Sequence, residues 1–200
     1  MVQSRYMDAD IAAADRMVAQ NRDFFRERSF HLWTWGLLLA GLFGVMTIVR
    51  YGFIKPVDGL EGWLWLVTVL AGVVLSFLFE RYRVLPPANI LSRILRNLWV
   101  GVGVSIILVG FLGGSTLLVP SGAHCGALST LVGLGFFLSA SLTASRGLRI
   151  LALLWWLGAA VQFFLNEHQA LFLMFSLVLA GLLFPGLALY WTHRVRPTES

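Results

Sequence analysis

Residues 97–145 read NLWVGVGVSIILVGFLGGSTLLVPSGAHCGALSTLVGLGFFLSASLTAS, 49 positions without one Asp, Glu, Lys or Arg. No water-soluble domain needs such a run. A hydrocarbon layer about 30 Å thick asks for about 20 apolar residues per helix, so the stretch holds two membrane spans joined at Pro120-Ser121-Gly122. Outward from it, charges bracket further apolar stretches at 32–49, 63–79, 150–165 and 170–192; with 98–118 and 123–143 these make six spans. The second and fifth are short enough that their flanking arginines are expected to snorkel. The expected fold is an all-α, six-helix transmembrane bundle occupying residues 32–193, with residues 1–31 and 194–200 outside it.

Composition agrees with lipid as the solvent. Mean hydropathy is +0.79, 58% of residues are hydrophobic and 12% are charged, against about 25% charged in soluble domains. Two hundred residues fill one such bundle and leave no room for a second domain of ordinary size. The Lys and Arg residues gather at span ends, where they set orientation and meet anionic head groups, so the basic balance does not imply nucleic acid as a partner. Cys125 is alone, which excludes an intrachain disulfide, a CxxC redox pair and a four-thiolate metal site. The first 31 residues carry ten formal charges and are expected to be neither a cleaved signal peptide nor a span.

Counting Lys and Arg in alternate segments gives 13 on one side of the membrane and 2 on the other. The positive-inside rule then places both termini in the cytoplasm. Trp33, Trp35, Trp99, Tyr190 and Trp191 fall at inner ends, and Trp63 and Trp65 at an outer end, as interfacial belts. Trp155 and Trp156 lie about two turns into the fifth span, facing either lipid or a groove.

Two amphipathic segments are expected on the cytoplasmic side. In the first, Met7, Ile11, Ala14, Val18 and Phe25 line one face against charged residues that include Arg22 and Arg26. The second is a short helix at 89–97, with Asn89 as its cap and Arg93 and Arg96 turned to phosphates. Simple anchoring explains both; the sharper alternative is a docking surface made of Arg22, Arg26, Arg81, Arg83, Arg93 and Arg96 for a cytoplasmic partner or anionic lipid.

Small residues repeat at four-residue spacing in the first four spans, for example Gly36, Ala40 and Gly44, or Gly135, Ser139 and Thr143. Such stripes let helices approach closely in lipid, within the chain or in a homo-oligomer. No charged side chain lies at the middle of a span, which argues against proton- or sodium-coupled transport. Gln162 is the deepest strongly polar side chain, and Pro185-Gly186 interrupts the sixth span. A helix-to-helix hydrogen bond and a kink are the plain accounts; with Trp155 and Trp156 the same residues are candidates for a ligand groove. On the outer face His124, Cys125, Glu167 and His168 offer metal-type donors, but adjacent residues diverge by about 100° on a helix, and no metal or other cofactor is expected. A GxSG serine with a sixth-span histidine, an HExxH motif and a phosphate-binding glycine loop are all absent, so no catalytic residues are expected.

Several short motifs run through the chain: Arg28-Ser29-Phe30-His31-Leu32-Trp33-Thr34-Trp35-Gly36, Arg81-Tyr82-Arg83, Arg96-Asn97-Leu98-Trp99, Gly133-Leu134-Gly135-Phe136 and Phe184-Pro185-Gly186-Leu187. In these it resembles a group of uncharacterised bacterial six-helix inner-membrane proteins. The resemblance implies the architecture and a regulatory setting beside small winged-helix transcription regulators, and it supplies no catalytic residues. The expectation is a non-enzymatic inner-membrane protein that binds a protein or membrane lipid through its cytoplasmic face. The alternative is a carrier or channel for a neutral or lipid-like molecule.

Overall fold

The computed structural model describes residues 29–53, 59–82, 90–115 and 121–195, and every regular element there is a helix. These are α1 (Ser29–Arg50), α2 (Leu60–Tyr82), α3 (Ile90–Ser115), α4 (Ser121–Thr143), α5 (Arg146–Gln162), α6 (Glu167–Val178), a π-helical turn (Leu179–Leu183) and α7 (Phe184–Val195). The last three continue as one rod. Five rods are long and apolar enough to cross a membrane: α1, α2, α3, α4 and the α6–α7 rod. α5 has 17 residues, a length of about 26 Å at 1.5 Å per residue. The chain is therefore an all-helical, multi-span membrane protein. Residues 1–28 with Arg22 and Arg26, the connection containing Arg83, the turn at Pro120 and the tail after Val195 lie outside the described residues.

Neighbouring rods run antiparallel, as their contacts show. Trp35 meets Gly72 and Ser76, Trp65 meets Gly110, Trp99 meets Gly135 and Ser139, and Trp156 meets Gly133. A tryptophan on one helix rests on a glycine of the next in each pair. One end of the bundle thus gathers Ser29, Tyr82, Ile90, Thr143 and Arg146, and the other gathers Arg50, Leu60, Gln162 and Glu167. The first is the basic end, carrying exposed Arg81, Arg93, Arg96, Arg146 and Arg149. Close backbone approaches join α1 to the π-helical turn and α7. A Cβ on Gly36 would stand 2.7 Å from the Leu183 backbone nitrogen, and one on Gly186 would stand 2.6 Å from that of Trp33. Part of the first-span stripe is therefore consumed inside the chain, and backbone packing of this kind is what holds helices together in lipid.

Three expectations need correcting. The segment 89–97 is not a separate surface helix: α3 runs unbroken from Ile90, because no Gly or Pro interrupts 90–100 and Leu95 is fully buried. At Pro185 the last rod is not interrupted but runs on as one helix. The turn before it widens to π geometry, with the Phe184 N–H reaching back to the Leu179 carbonyl, which makes room for a ring that carries no N–H. Trp65 is not an interfacial residue but a core one, 6% exposed and edge-on to Phe43.

Connections are short where the sequence caps them. Ser145 accepts from the Leu148 N–H to start α5, and Asn166 Oδ1 accepts from the Gln169 N–H at 3.0 Å to start α6. Ala144, between α4 and α5, has φ 53°, a left-handed conformation that strains a residue with a Cβ.

Candidate functional site

Near the basic end, α1 presents His31 and Trp35 one turn apart, and α2 presents Gly72, Ser76 and Glu80 at the same spacing. Gly72 leaves the space that the Trp35 ring fills. The indole N–H of Trp35 then donates to Ser76 Oγ at 3.2 Å, and His31 Nδ1 lies 3.3 Å from the same oxygen. His31 Nε2 is 4.0 Å from Glu80 Oε1, an ion-pair distance. Phe30 stacks on Phe79 with ring centroids 4.0 Å apart, and Phe79 stands edge-on to the imidazole.

Donor capacity orders this chain of contacts. An indole N–H only donates, so Ser76 Oγ accepts from Trp35. Most other span hydroxyls, such as Ser105, Thr130, Ser141 and Ser176, donate to the carbonyl one turn back. Ser76 also lies within reach of His31 Nδ1 on α1: with the imidazole proton on Nε2 the hydroxyl donates to Nδ1, and with the proton on Nδ1 it accepts. Serine, imidazole and carboxylate are thus lined up between two helices, about 9 Å along α2 from its end at Tyr82 for Ser76 and closer to the end for the other two. No sequence motif marks them. The available signal was the shared four-residue spacing of His31/Trp35 and Gly72/Ser76/Glu80, which acquires meaning only once α1 and α2 are known to be neighbours.

A second clasp of the same kind isolates what is unusual here. Trp99 Nε1 donates to Ser139 Oγ at 3.0 Å between α3 and α4, with no histidine beside it. Ser139 is fully buried, whereas Ser76 is half-buried and His31 is 19% exposed. A tryptophan-to-serine clasp by itself is packing; the one on α1 and α2 adds a base and an acid and is less enclosed.

The groove candidates separate. Gln162 is fully buried and ties three helices together: Ser129 Oγ of α4 donates to Gln162 Oε1 at 2.7 Å, and Gln162 Nε2 lies 3.7 Å from Met174 Sδ of α6. Trp155, one face with Gln162, is also fully buried; its indole nitrogen has no hydrogen-bond partner and abuts Gly181 of the π-helical turn. Trp156 faces away, donating to the Thr130 carbonyl at 3.4 Å and leaning on Phe137. Pro185 is half-buried in the last rod. Where all six rods meet, Phe43, Trp65, Leu128, Trp155 and Met174 help enclose a wholly apolar void of about 10 Å³, no larger than the roughly 10–15 Å³ that one water needs. The structure does not bring the four candidates into one groove.

The two ends treat their charges differently. At the basic end Arg81, Arg93 and Arg96 are exposed. At the other, Arg50 is paired with both Glu61 and Glu167, tying the end of α1 to the first turns of α2 and α6. Glu167 is thereby engaged, His168 stands edge-on to Tyr51, and Cys125 is buried in the core. Among the described residues no group of three metal-type side chains forms. No protein-family model, no curated protein and no solved structure matches the chain.

Proposed function

We propose that this is a bacterial inner-membrane protein of six spans, both termini cytoplasmic, that acts by binding through its cytoplasmic face as a regulatory or assembly subunit. The short α5 completes the sixth span with help from its flanking Arg146 and Arg149, whose side chains reach the head groups. One observation carries the proposal: exposed arginines crowd the basic end, while Arg50 at the other end is taken up in ion pairs. Arg81, Arg93 and Arg96 hold anionic head groups of the inner leaflet and, with the N-terminal segment containing Arg22 and Arg26, present a charged platform to a partner protein.

Two experiments test this. A reporter active only in the cytoplasm, fused after Ser200, is expected to be active; a silent but expressed fusion overturns the orientation. Native mass spectrometry of protein extracted from its own membrane in mild detergent is expected to show a stoichiometric protein adduct, lost in an Arg81→Gln, Arg93→Gln, Arg96→Gln variant. A retained lipid or small molecule without any protein would instead favour a carrier for a neutral or lipid-like molecule. The small size of the apolar void and the internal pairing of Gln162 offer that alternative little support.

A further inference from the structure

We infer that Ser76, His31 and Glu80 form a membrane-facing acyl-transfer site in which Ser76 is an activated nucleophile and the substrate is a long-chain acyl ester of the inner-leaflet side. The inference goes beyond binding at the cytoplasmic face and stands independently of it. Its first support is the row of contacts Trp35, Ser76, His31 and Glu80: the indole N–H donates to Ser76 Oγ, His31 Nδ1 lies 3.3 Å from the same oxygen, and Glu80 Oε1 lies 4.0 Å from His31 Nε2, an electrostatic rather than a hydrogen-bond distance. Nucleophile, base and orienting acid in series are the arrangement that activates a hydroxyl. The second support is access. Val73 and Phe77, flanking Ser76 on α2, are 51% and 62% exposed, so an acyl chain lying along α2 in the bilayer reaches the hydroxyl sideways. Depth is the third: His31 and Glu80 sit within one turn of the basic end and Ser76 one turn deeper, about where lipid ester carbonyls meet the hydrocarbon.

In the first step Ser76 Oγ bonds to the acyl carbonyl carbon while its proton passes to His31 Nδ1. The bond from that carbon to the departing alcohol then breaks, and the alcohol leaves with the proton from His31. Water or a second alcohol attacks the acyl-serine, gives its proton to His31, and Ser76 recovers its own proton as the ester bond to Oγ breaks. The Trp35 indole N–H, which donates to Ser76 Oγ, holds that oxygen in place beside His31. Ser76 and His31 touch the reacting atoms. Glu80 is a positioning residue whose charge, 4.0 Å from Nε2, favours the imidazolium formed when His31 takes the proton.

The test uses the full chain in lipid nanodiscs and a fluorophosphonate with a long alkyl chain, followed by intact mass and peptide mapping. The expected result is one covalent adduct on Ser76, absent in Ser76→Ala and not formed on Ser139, which shares the tryptophan clasp but has no base. His31→Gln should slow labelling by about 10²-fold or more, the lower range for loss of a general base. Trp35→Phe, which removes the N–H that holds Ser76 Oγ, should slow it less than His31→Gln does. Glu80→Gln should slow it and Glu80→Asp restore it, which a purely structural carboxylate would not require. Labelling no faster than in the denatured protein, or unchanged by His31→Gln, overturns the inference. Because both readings come from the folded wild-type chain and a variant matched to it by thermal unfolding, neither depends on the binding partner.

Discussion

Ser129 and Ser76 both reach across to a neighbouring helix, and they differ in enclosure. Ser129 meets Gln162 and Met174 in a site sealed on all sides by α4, α5 and α6. Ser76 meets His31 and Trp35 on a half-buried seam between α1 and α2, with Val73 and Phe77 beside it exposed. The helices that carry them differ likewise: 56% of the α4 span is buried within the chain, against 17% of the α2 span. In lipid a sealed amide-to-hydroxyl pair can only hold helices together, because nothing reaches it. An open pair of the same strength remains available for chemistry. Enclosure rather than residue type separates the structural cluster from the functional one.

The largest expected effect tests whether the sealed side depends on backbone packing. Gly186→Leu drives a side chain into the Trp33 backbone and should cost at least about 1–3 kcal/mol, read as a large loss of thermal stability in detergent. Gly101→Leu, with open space around it, should shift the midpoint little; equal losses at both sites would erase the distinction between packed and open faces. Gln162→Leu leaves the Ser129 hydroxyl only the Met174 sulfur as acceptor in the core and should cost about 1–3 kcal/mol without changing co-purified lipid. A changed lipid complement with unchanged stability would return Gln162 to a ligand role.

Smaller effects sharpen the picture. Ala144→Gly relieves a left-handed backbone and should stabilise by about 1 kcal/mol, raising the unfolding midpoint. Ser76→Ala should cost only about 0.6 kcal/mol, the average for interhelical hydrogen bonds in a membrane. A loss as large as that of Gln162→Leu would show that the seam is structural after all. Arg50→Gln, on exposed side chains, should cost no more than about 1 kcal/mol and less at high salt.

Much of the helical framework was legible in the sequence, because charge and hydropathy are one-dimensional signals. The apolar stretches at 32–49, 63–79 and 123–143 correspond to α1, α2 and α4, and Gly36, Gly72 and Gly135 lie at helix contacts as their spacing implied. What lay beyond it depends on which helices are neighbours. Trp65 and Trp99 look alike as interfacial tryptophans, yet one fills the core and the other clasps a serine. The partner of Gln162 is a hydroxyl 33 residues earlier, and no local pattern names it. His31, Ser76 and Glu80 were invisible for the same reason: α1 and α2 are separated by a connection whose geometry the residue order does not specify. The π-helical turn escaped because a proline announces a disturbance without saying whether the helix bends or widens.

The contrast between a sealed and an open serine is tested most directly by thiol accessibility in native membrane vesicles. In a Cys125→Ala background, Ser76→Cys and Ser129→Cys are treated with N-ethylmaleimide, which crosses bilayers, and modification is followed by mass. Rapid modification of the thiol at 76 and none at 129 before denaturation is the result the account predicts; equal modification of both, or of 129 alone, would contradict it.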